Sequence, residues 1–467
     1  MEILKVLLFL LVIIYTIIGT TVWGNKNQIT SSPDVSPIET CTGEDAKIAY
    51  PSAGDPQGDY NFGYSISISG DTLAVSSYGA NQNETGASNF SGVVYVYTDG
   101  NFDLVPTKVA IPSTGAPQSL YFFGFSISIS GDTLVVGAFG ANQDGTSASN
   151  TSGSVYVYTD GNYGSVPIKV ANPSDGPPLA SYNFGYSVSI SGDTLAVGAY
   201  GANQDGVSAA NNSGAVYVYT NGNYGSVPIK VANPSDGPPL ASYNFGRSVS
   251  ISGDTLAVGA VGANQDGVSE ANNSGAVYVY TNGNYASAPT KVANPSEGPP
   301  LASYLFGRSV SISGDTLAVG AVGANQDGVS AANNSGAVYV YLNGAYDSTP
   351  TKVADPSTGP PLASYNFGFS IFISGDTLVV GAFGANQDGV SGANFSGLAY
   401  VYKDGNYDTA PTRLAILDAT PDDDYYYGIG VTTSGNRVIV GASGQTSTGT
   451  GFADNAGGAY IYPCAGF

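Results

Sequence analysis

Residues 245–280 read FGRSVSISGDTLAVGAVGANQDGVSEANNSGAVYVY. From Phe245 to Ser252, Ser alternates with β-branched residues, the period-two pattern of a half-buried strand, and the run stops at Gly253-Asp254, a tight-hairpin pair. Thr255 to Val261 is the second strand. A polar stretch from Gly262 to Gly275 separates it from a third, Ala276 to Tyr280. The turn TNGNYASAP leads to a fourth, Lys291 to Asn294, and PSEGPPLASY returns to the next Phe-Gly. No helical periodicity intervenes, so the unit is one four-stranded antiparallel sheet.

The unit recurs. Phe-Gly pairs fall at 62, 123, 184, 245, 306 and 367, each 61 residues after the last, and Tyr427-Gly428 follows 60 further on. Lys47, Lys108, Lys169, Lys230, Lys291, Lys352 and Arg413 keep the same beat. Residues 41–467 number 427, seven times 61. Seven such sheets cannot each bury two faces alone, and radial stacking solves the problem. The expected fold is all-β, a seven-bladed β-propeller of four-stranded antiparallel blades, with the Ser-Val-Ser-Ile-Ser strand innermost. An open β-solenoid is the alternative, but its coils are usually only about 20 to 30 residues long.

The chain ends just after Tyr460-Ile461-Tyr462, a third strand, so the last sheet lacks a fourth. Lys47-Ile48-Ala49 is a surplus fourth strand at the other end. Pairing them closes the ring, with the N-terminal strand completing blade seven. Cys41 and Cys464 then fall at positions equivalent to Tyr285 and Asn282, which share one turn, so a Cys41–Cys464 disulfide is expected in an oxidising compartment.

Composition narrows the function. Of 467 residues, 35 are acidic and 13 basic, a net charge of −22, and there is no histidine. Ser-His-Asp and Cys-His relays and His-bearing zinc sites are therefore excluded. An acidic surface also argues against nucleic acid or anionic membrane as a partner. At the amino terminus Lys5 precedes an apolar run from Val6 to Ile18, and Val22-Trp23-Gly24 ends in small-residue style. This predicts a signal peptide over 1–24, then a flexible spacer over 25–40. The alternative is an uncleaved anchor, since the 18 residues Val6 to Trp23 are uncharged and just suffice to span a bilayer. A membrane contact is expected only in that case.

The Phe-Gly opener, the Leu-Ala-Val-Gly-Ala core at Leu195 to Ala199 and the Val-Tyr-Val-Tyr close resemble an FG-GAP repeat, the unit of the seven-bladed propeller at the head of integrin α chains. The resemblance covers all seven units. It implies the propeller fold and calcium loops of the form DxDxDG between the first two strands. Here that position holds only Ser-Gly-Asp-Thr, as at Ser252 to Thr255, too few oxygens for calcium.

Other loops offer weaker signals. The ANQDG stretches place Asp144, Asp205, Asp266, Asp327 and Asp388 on one expected face, joined by Asp175, Asp236 and Glu297 from the interblade links. They are candidate ligands for calcium, the one possible cofactor, although Asn and Asp also simply form turns. Glycosylation sequons stand at Asn83, Asn89, Asn150, Asn211, Asn272, Asn333 and Asn394, and their use depends on the host. The residue after each Phe-Gly varies: Tyr64, Phe125, Tyr186, Arg247, Arg308, Phe369 and Ile429. Such variation on a copied frame marks either a binding mouth or blade packing. In blade seven Asp422-Asp423-Asp424 is the densest carboxylate run, a candidate cation site or a solvated turn.

The function expected is a secreted or cell-surface, non-enzymatic interaction or adhesion module that binds an extracellular protein or glycan through a propeller face or rim. One alternative is a lectin with repeated sugar sites. Another is a polysaccharide hydrolase or lyase using carboxylates, which only the irregular blade seven accommodates.

Overall fold

A computed structural model of the chain describes residues 46–49, 51, 59–82, 89–110, 112, 119–142, 151–171, 173, 180–203, 212–232, 234, 241–264, 273–293, 295, 302–324, 334–354, 356, 363–386, 395–414, 424–444 and 456–464. They form seven four-stranded antiparallel sheets arranged as the blades of a ring. In blade four the strands are Phe245–Ser252, Thr255–Ala260, Ala276–Tyr280 and Thr290–Lys291. The first three follow the sequence pattern closely. The fourth is shorter than the expected Lys291 to Asn294 and begins one residue earlier, although the Val292 amide still donates to Val277 O at 2.9 Å.

Why Ser alternates with Val and Ile on the inner strand is visible in the contacts between blades. Val249 and Ile251 of blade four pack against Ala196, Val216 and Val218 of blade three in one buried cluster. On the opposite side of the strand, serines stitch neighbouring blades. The Ile251 amide donates to Ser189 Oγ (3.0 Å), the Gly253 amide to Ser191 Oγ (3.0 Å), and Ser248 Oγ donates to Gly307 O (2.8 Å). Near the axis a hydroxyl is small enough to fit and polar enough to satisfy amides that have no strand neighbour on that side.

The Phe-Gly opener follows from the same crowding. Phe245 is fully buried, and the ladder is irregular between Phe245 and Ser248. Gly246 sits there with φ +84°, and a Cβ would meet Ala215 O and Val216 Cγ2 at 2.7 Å. Gly259 in the Leu-Ala-Val-Gly-Ala strand faces Gly307 of the next blade, whose O would lie 2.2 Å from a Cβ. Only glycine allows those two backbones to touch.

Farther out, tyrosine takes over. The Tyr219 hydroxyl crosses to the preceding blade and donates to Ala171 O at 2.7 Å, while Tyr217 shares a buried hydroxyl–hydroxyl bond with Tyr182. Both positions repeat around the ring, as in Tyr280 to Ala232 O and the pair Tyr278–Tyr243.

The ring closes as the register predicts. Ala46–Ala49 pairs antiparallel with Gly458–Pro463, so the amino-terminal strand is the outer strand of blade seven. At the axis the Gly70 amide donates to Ser434 Oγ at 3.1 Å, and Gly457 bridges Phe62 as Gly214 bridges Phe245. Arg437 of blade seven also meets Asp71 of blade one at 2.5 Å. Among the described residues no helix is long and apolar enough to cross a membrane. The expected leader and spacer, residues 1–40, lie outside them, as does Cys41. Cys464 is fully buried, with its amide donating to Asn436 O at 2.7 Å.

Candidate functional site

The seven variable residues after the Phe-Gly positions converge on the propeller axis. Tyr64, Phe125, Tyr186, Arg247, Arg308, Phe369 and Ile429 line one cavity of about 260 Å³ with the first residues of each inner strand. All seven are half-buried. Packing and lining occur together: Tyr64 touches Phe125 with centroids 5.1 Å apart, and Phe125 touches Tyr186 at 4.9 Å.

A second ring of residues surrounds the first, and sequence reading missed it. Each mouth residue through blade six has a counterpart fourteen positions on: Tyr78, Phe139, Tyr200, Val261, Val322 and Phe383, spaced at the same 61-residue interval. Where the mouth residue is aromatic the partner is aromatic, as in Tyr64–Tyr78 (4.6 Å), Phe125–Phe139 (4.6 Å), Tyr186–Tyr200 (4.5 Å) and Phe369–Phe383 (4.6 Å). Where the mouth residue is Arg the partner shrinks to Val. That covariation within one chain was the available signal.

The aromatic surface extends outward in two arcs. In blades one and two Tyr78, Phe90, Phe122 and Phe139 form a contiguous group, with Phe122 stacked on Phe139 at 4.8 Å and 8°. In blades six and seven Phe383, Phe395 and Tyr426 form another. Phe90, Phe122, Phe395 and Tyr426 hold positive φ between 52° and 57°, a conformation that Asn occupies in the equivalent turns at Asn183, Asn212 and Asn244. Bulky residues are strained there, whereas Asn adopts it readily. Folding alone favours Asn, so these aromatics stand at a conformational cost.

Among the described residues the two arginines are held by rings rather than acids. Arg247 Cζ lies 5.3 Å from the Tyr186 ring and 5.5 Å from Tyr200, and Arg308 Cζ lies 4.2 Å from Phe369. Burial, then the like charge of Arg247, lowers the Arg308 pKa. Burial raises that of Tyr64 well above the usual phenol range, so its hydroxyl stays protonated at neutral pH.

The described residues that flank the two loop types lie side by side. Residues flanking the loop between second and third strands bond those flanking the interblade link, for example Asn244 N to Asn212 O (2.8 Å) and Phe122 N to Phe90 O (2.8 Å). The candidate calcium ligands Asp144, Asp205, Asp266, Asp327 and Asp388 lie outside the described residues, as do Asp175, Asp236, Glu297, Asp422 and Asp423. Among the described residues no group of three or more Cys, Asp or Glu side chains converges on a metal position. Between the first two strands Ser252 pairs with Thr255, a two-residue hairpin without room for a calcium loop.

Of the sequon residues, Asn89 is described and half-buried. Asn83, Asn150, Asn211, Asn272, Asn333 and Asn394 are outside the described set. Ser91 Oγ is within hydrogen-bonding distance of Asn89 Oδ1 (2.6 Å) and of Ala80 O (3.3 Å). The sequon serines Ser91, Ser152, Ser213, Ser274, Ser335 and Ser396 are all fully buried, so each also serves the blade. Asp424 is exposed, with the Tyr426 hydroxyl donating to it at 3.4 Å.

Seven radially arranged four-stranded sheets around a lined axial cavity define a seven-bladed β-propeller. Residues 43–97, 118–158, 173–219, 234–280 and 301–341 match the FG-GAP repeat, and the chain belongs to that family. No curated protein matches the sequence. Among solved structures, the computationally designed Ika8 protein is similar over 88% of this chain and 98% of its own, at 10% identity and a TM-score of 0.44. An FG-GAP propeller is a fold that typically lacks enzymatic activity and generally supports a protein-interaction module.

Proposed function

We propose that the chain is a secreted or cell-surface interaction module, exported by residues 1–24, that binds an extracellular protein or glycan through the face on which the axial mouth opens. The observation carrying this reading is the concentration of variation and strain on that face. The blade frame is copied almost unchanged, yet the mouth residues, their second-ring partners and the strained aromatics differ from blade to blade. Aromatic side chains partly open to solvent are the usual anchors of binding surfaces.

The test is binding of the purified chain to arrays of extracellular proteins and glycans, using wild type and the double variant Phe122→Asn/Phe139→Val. Those replacements are residues that other blades already carry at the same positions, and the melting temperature of the variant checks that the frame tolerates them. Binding by wild type that falls at least tenfold in the variant supports the face. Binding untouched there but lost on changing Asp254 or Asp193, in the hairpins joining the first two strands, moves the function elsewhere.

A further inference from the structure

The axial mouth holds two guanidinium groups that have no acidic partner among the described residues. Among the described residues Arg247 and Arg308, at the same position in adjacent blades, line the same cavity and make neither an ion pair nor a side-chain hydrogen bond, unlike Arg437, which meets Asp71. The chain is not short of acids, since 35 carboxylates face 13 bases. Placing two like charges side by side in a half-buried site is unfavourable for the empty protein.

Packing does not require them either. Tyr186 and Phe369 fill the same position in the flanking blades, and the flanking second-ring residues are aromatic. The frame therefore accepts a ring there. Arginine at this position instead presents planar donors that match a carboxylate in bidentate fashion, pre-oriented by stacking on Tyr186, Tyr200 and Phe369.

The rest of the mouth narrows the anion. Tyr64 and Phe125 place aromatic rings on the same cavity, and the Tyr64 hydroxyl is a neutral donor. The volume of about 260 Å³ lies just under the usual range for drug-sized ligands, enough for one ring-sized group. A pyranose bearing a carboxylate combines an apolar C–H face for stacking, hydroxyls, and one negative charge. We infer that the axial mouth binds an acidic sugar residue, with Arg247 and Arg308 holding its carboxylate and Tyr64 and Phe125 its ring. This inference rests on the proposed function, whose face it shares.

The test is calorimetric titration of the full chain with a hexuronic-acid tetrasaccharide, its carboxyl-reduced counterpart, and a hexaglutamate peptide. Wild type is expected to bind the uronate at least tenfold more tightly than the reduced sugar or the peptide. Arg247→Gln and Arg308→Gln should each weaken uronate binding tenfold or more. Arg247→Tyr and Arg308→Phe, which restore the neighbouring blades' residues, should do the same with unchanged melting temperature, separating lost binding from lost folding. Arg308→Lys, which keeps the charge but not the planar fork, should fall between.

Absence of uronate binding, equal affinity for the reduced sugar, or indifference to the arginine changes overturns the inference. Preference for hexaglutamate also overturns it, and assigns the site to an acidic protein segment. If the Phe122→Asn/Phe139→Val variant loses a partner that the arginine variants keep, the face stands and only the acidic-sugar assignment falls.

Discussion

Lys47 stands opposite Tyr460 in the closing ladder, the same pairing that sets Lys230 opposite Tyr217 inside blade three. The amino-terminal strand thus enters blade seven in the register of a native fourth strand, and the last interblade surface is built like the others. In that surface Ile48, Ile439 and Ile461 pack with Phe62, Leu73 and Val75 of blade one.

Removing residues 41–50 should therefore do more than trim an end. It leaves Gly458–Pro463 as an unpaired edge, and such edges recruit other chains. The expected result is self-association, seen as a shift to higher mass by light scattering. A monomer with unchanged melting temperature would show that the strand is dispensable.

A Cys41–Cys464 bridge is proposed to lock the same closure. Non-reducing peptide mapping should recover one linked pair, and reduction should lower stability by up to about 6 kcal/mol on the loop-entropy estimate. Recovery of two free thiols counts against the bridge.

Ser189→Ala removes the acceptor for the Ile251 amide between blades three and four. A buried donor left without a partner costs about 1 to 3 kcal/mol. Denaturant melts should show this loss, whereas Ser→Ala in an exposed loop should show almost none.

Alkali should unfold the propeller through its tyrosines. Burial, with Asp132 nearby, pushes Tyr163 up to about 12, and burial raises Tyr217, Tyr219, Tyr278 and Tyr280 further. The folded state holds these protons more tightly than the unfolded state, where phenols titrate near 10. Their stabilising contribution is thus complete below pH 10 and is lost as pH rises from 10 through 12 and above. Stability measured across that range should fall steeply, and a flat profile would contradict the burial.

The hairpins at Gly253-Asp254 and its equivalents are too short for a calcium loop, so the frame should melt at the same temperature in calcium and in chelator. A rise of several degrees with calcium would place a cation in the loops carrying Asp205 and its repeats.

Much of the fold was legible in the sequence. Phe245, Gly246 and the Ser-Val-Ser-Ile-Ser strand declare themselves because a 61-residue period repeats each local constraint seven times, and strand alternation is a local property. The surplus strand at Lys47 follows from the same count. The site was half legible: Arg247 and Arg308 stood out by variation, but whether their position packs blades or forms a mouth could not be read. The partners Val261, Val322 and Tyr200 escaped notice because they lie fourteen residues away on another strand.

Sequence by itself determined the blade, the number of blades and the register that closes them, since each rests on short-range alternation and counting. Only the tertiary structure decided that seven separate positions meet at one axis, that the rings of Tyr186 and Phe369 flank the arginines, and that the sequon serines are buried. Those facts depend on which side chains face one another across blades, and residues about 61 apart in the chain become neighbours only when the sheets stack around a common centre.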